Sequence, residues 1–196
     1  MKTIVQLSLL LIAITASTLV TAQTGKDAKK PAPTVTNVLD RQLSNIEQEI
    51  VPAADALGED KYDFAPTNGE FKGVRTFAQE VKHLAATNYQ IGAALLNEKS
   101  PVDAGDPNGP DNGPDSLKTK AEIVDYLKNS FAYLHKGLAT INQKNVVEQV
   151  QSPFGPNKTS RLALAIVAIS HPEDHYGQMV EYLRMNGIIP PASRAQ

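Results

Sequence analysis

Val74, Phe77, Val81, Leu84, Asn88, Ile91 and Leu95 follow one another at alternating spacings of three and four. No other feature constrains the fold of this chain as much. A helix turns about 100° per residue, so this spacing sets all of these side chains on one stripe, whereas a strand would scatter them over both faces. The stripe is a heptad seam with one polar member, Asn88, and it must be buried against other helices. Val124, Leu127, Phe131, Leu134, Leu138 and Ile141 repeat the pattern. Leu39, Leu43, Ile46, Ile50 and Leu57 form a third stripe, and Pro52 inside it predicts a kink or a restart. A fourth helix opens near Thr159, carries Leu162, Ile166 and Ile169, and stops at Gly187 with Pro190 and Pro191 beyond. No stretch alternates as a half-buried strand does. Helices of about 20 residues with apolar stripes predict an all-α protein, a four-helix bundle with long connectors.

The connectors are marked by composition. Glu59 to Gly69 contains Pro66 and lacks periodicity. Ser100 to Ser116 contains Asp106-Pro107-Asn108-Gly109-Pro110-Asp111-Asn112-Gly113-Pro114-Asp115, which cannot hold a helix and predicts a mobile surface loop. Its order of Asp, Asn and Gly does not fit the calcium loop of an EF-hand. Asn142 to Asn157 is a further connector, with Pro153, Gly155 and Pro156.

The N-terminus predicts export. Lys2 supplies a positive start, Ile4 to Val20 is apolar, and Val20-Thr21-Ala22 places small residues at −3 and −1 of a cleavage site. Residues 1–22 read as a signal peptide, residues 23–36 as a flexible leader, and residues 37–196 as the folded domain. The apolar run is short for a membrane span and polar residues interrupt it, so the mature chain is expected to begin at Gln23, free of the membrane. It is expected in the periplasm or outside the cell. The net charge of −2 and the lack of a basic stripe argue against a nucleic-acid partner. The absence of cysteine excludes disulfides, thiolate ligands, a cysteine nucleophile and a lipobox anchor. Any metal chemistry therefore falls to His, Asp and Glu.

Two of the four histidines stand at i and i+4, in His171-Pro172-Glu173-Asp174-His175-Tyr176-Gly177-Gln178. On a helix both imidazoles then lie on one face, one turn apart, where they can close on a single metal ion. Ile166 and Ile169 before them, and Tyr176 and Tyr182 after, predict partial burial. Glu173 is not the glutamate of the zincin pattern, which follows the first histidine directly. Pro172 within a helix costs about 3 kcal/mol, unless Ser170 caps a new one. Either one long helix kinked near Pro172 or two nearly coaxial pieces follow. A third ligand is wanted. His83 lies about a third of a turn off its helix's seam by the 100° rule, and His135 lies just beside its own. Geometry alone favours His135.

The run Arg75-Thr76-Phe77-Ala78-Gln79-Glu80-Val81-Lys82-His83-Leu84-Ala85-Ala86-Thr87-Asn88-Tyr89, together with His171 to Pro191, resembles the DinB-like superfamily. Lys61-Tyr62-Asp63-Phe64-Ala65-Pro66, ahead of the second helix, resembles its exported bacterial branch. The resemblance covers most of the chain after Leu39. It implies a four-helix bundle holding a divalent metal by one histidine from the second helix and two from the last. At matching positions these are His83, His171 and His175, and His135 has no counterpart among them. Three imidazoles suit zinc, nickel or iron(II), and the remaining positions would take water or substrate, as in a catalytic site.

Relatives of this kind include transferases and isomerases that use a low-molecular-weight thiol. The resemblance therefore implies a metal-dependent thiol S-transferase, or a hydrolase whose metal activates water. Glu173 or Asp174 would assist proton transfer, or else be solvated. Tyr89 and Tyr176 would line a pocket, or else pack in the core. The alternative from another class is an exported metal- or ligand-binding stress protein without turnover, which the export signal favours because such thiols are chiefly cytoplasmic. The partner is then a small-molecule substrate or a thiol. DinB-like proteins often pair through their helices, so the resemblance also implies a homodimer.

Overall fold

Among the described residues every long helix begins on a side-chain hydroxyl. The computed structural model describes residues 32–105 and 111–194, so the expected signal peptide at 1–22 and the first part of the expected leader, 23–31, lie outside the described residues. Helix α1 spans Val35–Ala56, α2 Phe77–Leu96, α3 Lys120–Ala139 and α4 Arg161–Met185. Thr34 accepts from the Asn37 N–H at 3.1 Å, and Ser160 from the Ala163 N–H at 3.1 Å. Thr76 with Gln79, and Thr119 with Glu122, form reciprocal capping boxes. Each such cap satisfies helix donors that have no partner within the helix and is worth about 1 kcal/mol. The described first helix thus starts inside what reads in sequence as the leader.

Helices α1 and α2 each pack on both α3 and α4, which sets α1 and α2 on opposite corners of a four-helix bundle. The seams are buried as their spacing requires. Phe77, Val81, Leu84, Ile91, Phe131, Leu134 and Leu138 have almost no exposed surface. Burying a side chain of this size is worth roughly 1.5–3 kcal/mol each. The polar member of the α2 seam, Asn88, donates to the Ser130 hydroxyl on α3 at 3.1 Å. Gly92 and Gly137 let these two helices come close: a Cβ on Gly137 would stand 3.1 Å from the Gly92 Cα.

Helix α2 is the inner element. Sixteen of its 20 residues are buried, including Glu80, Lys82 and His83. Its two neighbouring helices cannot cover it alone, and the connectors do the rest. The carbonyls of Phe64 and Tyr62 accept from the Phe77 and Ala78 N–H groups at 2.9 and 2.8 Å, so the Tyr62-Asp63-Phe64 turn closes the first turn of α2. Tyr62 and Phe64 also pack edge-on against Phe77 and Tyr182.

Three sequence expectations change. Helix α1 runs unbroken through Pro52. Both Pro52 and Gln48, whose carbonyl loses its helical donor, are exposed, and water can replace the lost bond. A short antiparallel ribbon, β1 (Gln149–Gln151) with β2 (Lys158–Ser160), lies in the connector before α4, with Val150 opposite Thr159. Three-residue strands are too short to show alternation. The loop from Ser100 to Ser116 holds no helix among its described residues, yet 111–114 is tied to α2 rather than free. The Lys82 ammonium donates to the Pro114 carbonyl at 3.0 Å, Arg75 donates to Asn112 at 3.0 Å, and Gly113 and Pro114 are buried. Gly113 has φ +71 and lies against the Lys82 backbone, where a Cβ would approach to 2.8 Å. Helix α4 is continuous through Pro172, the single-helix alternative.

Candidate metal centre

His171 and His175 project from adjacent turns of α4, and His83 meets them from α2. The His171 Nε2 atom stands 3.1 Å from His83 Nε2 and 3.0 Å from His175 Nε2. One ring nitrogen from each residue lies within 4.8 Å of the others. Two nitrogens bound to one ion at about 2.0–2.1 Å stand roughly 2.9–3.4 Å apart at cis-octahedral to tetrahedral angles. The three side chains stand close enough together to hold one divalent ion. His83 and His175 are buried and His171 is half-buried.

The opposite edges of the rings show why the Nε2 atoms face inward. His175 Nδ1 lies 2.6 Å from a carboxylate oxygen of Glu80. His83 Nδ1 lies 2.7 Å from the Asp111 carbonyl and 3.2 Å from the Asp111 carboxylate. Carboxylate and carbonyl oxygens accept, so in both rings Nδ1 carries the hydrogen and Nε2 keeps its lone pair for the centre. His171 differs, because its Nδ1 is buried with no hydrogen-bond partner. Burial, reinforced by His175, His83 and Arg75, pushes the His171 pKa down to about 3. Burial and then Arg75 also lower that of His83, against the opposing pull of Asp111. Both rings are therefore neutral near neutral pH, the state a metal ligand requires.

The Asp111 carbonyl is itself held. Arg75 donates to it at 3.3 Å and to the Asn112 side chain at 3.0 Å, while the Tyr182 hydroxyl donates to the Arg75 carbonyl at 2.9 Å. Asp111 has φ +53, a left-handed conformation that costs a non-glycine residue energy. A cleft of about 490 Å³ borders this segment, lined by Asp103, Asp111, Asn112, Asp115 and Gln79 among others.

His135 is not in this centre. Its Nδ1 lies 2.6 Å from Asp40 and its Nε2 3.0 Å from Glu47, both on α1. The preference for His135 from stripe geometry fails because α2 is covered on nearly every side, so a residue off its seam is still interior. Glu173 and Asp174 are exposed, and Asp174 accepts from Gln178 at 3.2 Å. Tyr89 is a core residue, with its ring 5.1 Å from that of Tyr126 and 5.5 Å from that of Tyr133. Tyr176 is half-buried against the core.

Sequence reasoning missed Glu80 and the 111–114 segment. Glu80 left a signal. With His83 and Thr87 it forms a polar line at spacings of three and four on an otherwise apolar helix. The loop left none, because its tie to His83 depends on where Asp111 folds back onto α2.

Residues 42–179 match the family model of the DinB superfamily. The chain belongs to the DinB superfamily. A crystal structure of a DinB-like protein from Bacillus cereus ATCC 10987 superposes with a TM-score of 0.63 at 15% identity, covering 81% of this chain and 96% of that one. At this identity the likeness bears on the fold, and it agrees with the helical bundle. No curated protein matches the chain. Within this DinB-superfamily protein the three histidines stand close enough to hold a divalent ion.

Proposed function

We propose that this DinB-superfamily protein is exported and binds one divalent metal ion through His83, His171 and His175, as the centre of a metal-dependent thiol S-transferase or hydrolase. The observation that carries the reading is the pair of Nε2 separations, 3.1 and 3.0 Å, between rings from two helices. Three protein ligands leave coordination positions for water or substrate, which distinguishes catalytic from structural sites. Bound there, zinc, nickel or iron(II) supplies Lewis acidity toward a water or thiol. The chain's own share is to present three imidazole nitrogens, to keep them out of bulk water, and to hold the His83 and His175 tautomers through Asp111 and Glu80.

A second reading, a metal- or ligand-binding stress protein without turnover, is favoured by one observation. Among the described residues the carboxylate against the triad rings from within the bundle, Glu80, is engaged with His175, and Glu173 and Asp174 are exposed. The carboxylates beside the rings, Glu80 and Asp111, both stand at Nδ1 edges, away from the Nε2 atoms. Metal content of the purified protein, followed by chromogenic thiol-conjugation and ester-hydrolysis assays with and without chelator, separates the two. Chelator-sensitive turnover supports the enzyme. Retained metal without turnover on a broad panel supports the binding protein. Export is tested by N-terminal sequencing of protein from the cell envelope, where the chain should start at Gln23; an intact Met1 in the cytoplasmic fraction would contradict it.

A further inference from the structure

We infer that Glu80 is a positioning residue for the three-histidine centre: it holds the His175 ring with its Nε2 lone pair toward the point the three rings share. The inference rests on the metal reading above and extends it beyond the ligands. Glu80 is 1% exposed, three residues before His83 on α2. A carboxylate removed from water is destabilising unless it is paired and hydrogen-bonded. Here it meets His175 Nδ1 at 2.6 Å. Its neighbours along the helix, Phe77, Val81 and Leu84, are fully buried and apolar, so packing at this level of α2 does not call for a carboxylate. The rings of the triad are backed unequally: His175 by a buried carboxylate, His83 by the Asp111 carbonyl and the exposed Asp111 carboxylate, and His171 by no partner at Nδ1. Of the two carboxylates, that of Glu80 is the one held out of water. Behind an imidazole it fixes the tautomer, raises the basicity of the far nitrogen and offsets part of a dication's charge, and loss of such a partner weakens metal binding about 10–100-fold.

The test compares zinc affinity, by chelator competition, in the wild type, Glu80→Gln and Glu80→Ala. Melting temperatures of the metal-free proteins and the ¹H–¹⁵N signature of the His175 ring are measured alongside. Glu80→Gln keeps an acceptor for the Nδ1 hydrogen and removes the charge, so the His175 tautomer should persist while affinity falls about 10-fold. Glu80→Ala removes both, so affinity should fall toward ~100-fold and the tautomer signature should be lost. A structural role alone would lower the melting temperature and leave zinc affinity untouched, which would overturn the inference. If Glu80→Ala does not fold, folded Glu80→Gln decides, and wild-type affinity in that variant overturns the inference. A wild type that binds no zinc overturns the metal reading itself, whereas equal binding by all three proteins overturns the role of Glu80 alone.

Discussion

At the α1–α3 contact, His135 presents one ring nitrogen to Asp40 and the other to Glu47. At the α2–α4 contact, His83, His171 and His175 present their nitrogens to one another. Both clusters join two helices of one bundle, but they do opposite things with the imidazole. Both nitrogens of His135 are turned to carboxylates, so neither points to a shared centre. His83 and His175 each meet an acceptor at Nδ1 and leave Nε2 free. A histidine serves as a ligand only when a nitrogen is left over, and what stands behind the ring decides that. Position on a helical wheel does not.

The comparison breaks most sharply at the α4 histidines, His171 and His175. Replacing His171 or His175 with Ala should weaken zinc binding more than loss of a partner behind a ligand, hence by over ~100-fold. Isothermal titration or chelator competition reads it, and unchanged affinity in either variant would dissolve the distinction between the clusters. Metal should next stabilise the bundle by binding the native state. At a zinc concentration 100 times Kd the gain is about 2.7 kcal/mol. For a domain of this size that raises the melting temperature by about 5–10 °C. A chelator-stripped protein whose Tm ignores zinc and nickel would count against a native site.

The pH response sharpens the same contrast. The His171 pKa stands at about 3 in the fold against 6.5 for the free side chain, and that of His83 is lowered too. Between those values the unfolded chain binds protons that the folded rings refuse, so metal-free protein should lose stability as pH falls from 6.5 toward 3. Urea unfolding at a series of pH values tests this, and stability that rises through that window on acidification would contradict it. The smallest effect is expected at the other cluster. Its contacts with Asp40 and Glu47 are partly exposed, so His135→Ala should cost about 1 kcal/mol or less, a Tm shift of roughly 2–4 °C. Thermal unfolding checks the shift, and a much larger loss would mean that the α1–α3 contact depends on His135.

Much of the fold was legible because local rules agreed. The three-four seams of α2 and α3 run along real helices, and Thr76 with Gln79 and Thr119 with Glu122 mark their starts. Pro52 does not restart α1, because a proline's break is mild where the freed carbonyl meets water. The site was legible in part. His171 and His175 announce themselves by spacing, but His83 does not, because stripe geometry assumes a helix with one buried face and α2 is buried nearly all round. Family resemblance supplied what periodicity could not. Glu80 was readable only as part of a polar line whose partner, His175, lies 95 positions away. The support from Asp111 depends on where a loop folds back, which composition alone leaves open.

The most direct test of this account is the metal stoichiometry of three proteins, wild type, His83→Ala and His135→Ala, purified alike and equilibrated with limiting zinc before elemental analysis. The account predicts about one ion per chain in the wild type and in His135→Ala, and almost none in His83→Ala. Loss of the ion from His135→Ala with retention in His83→Ala would contradict it and return the third ligand to α3.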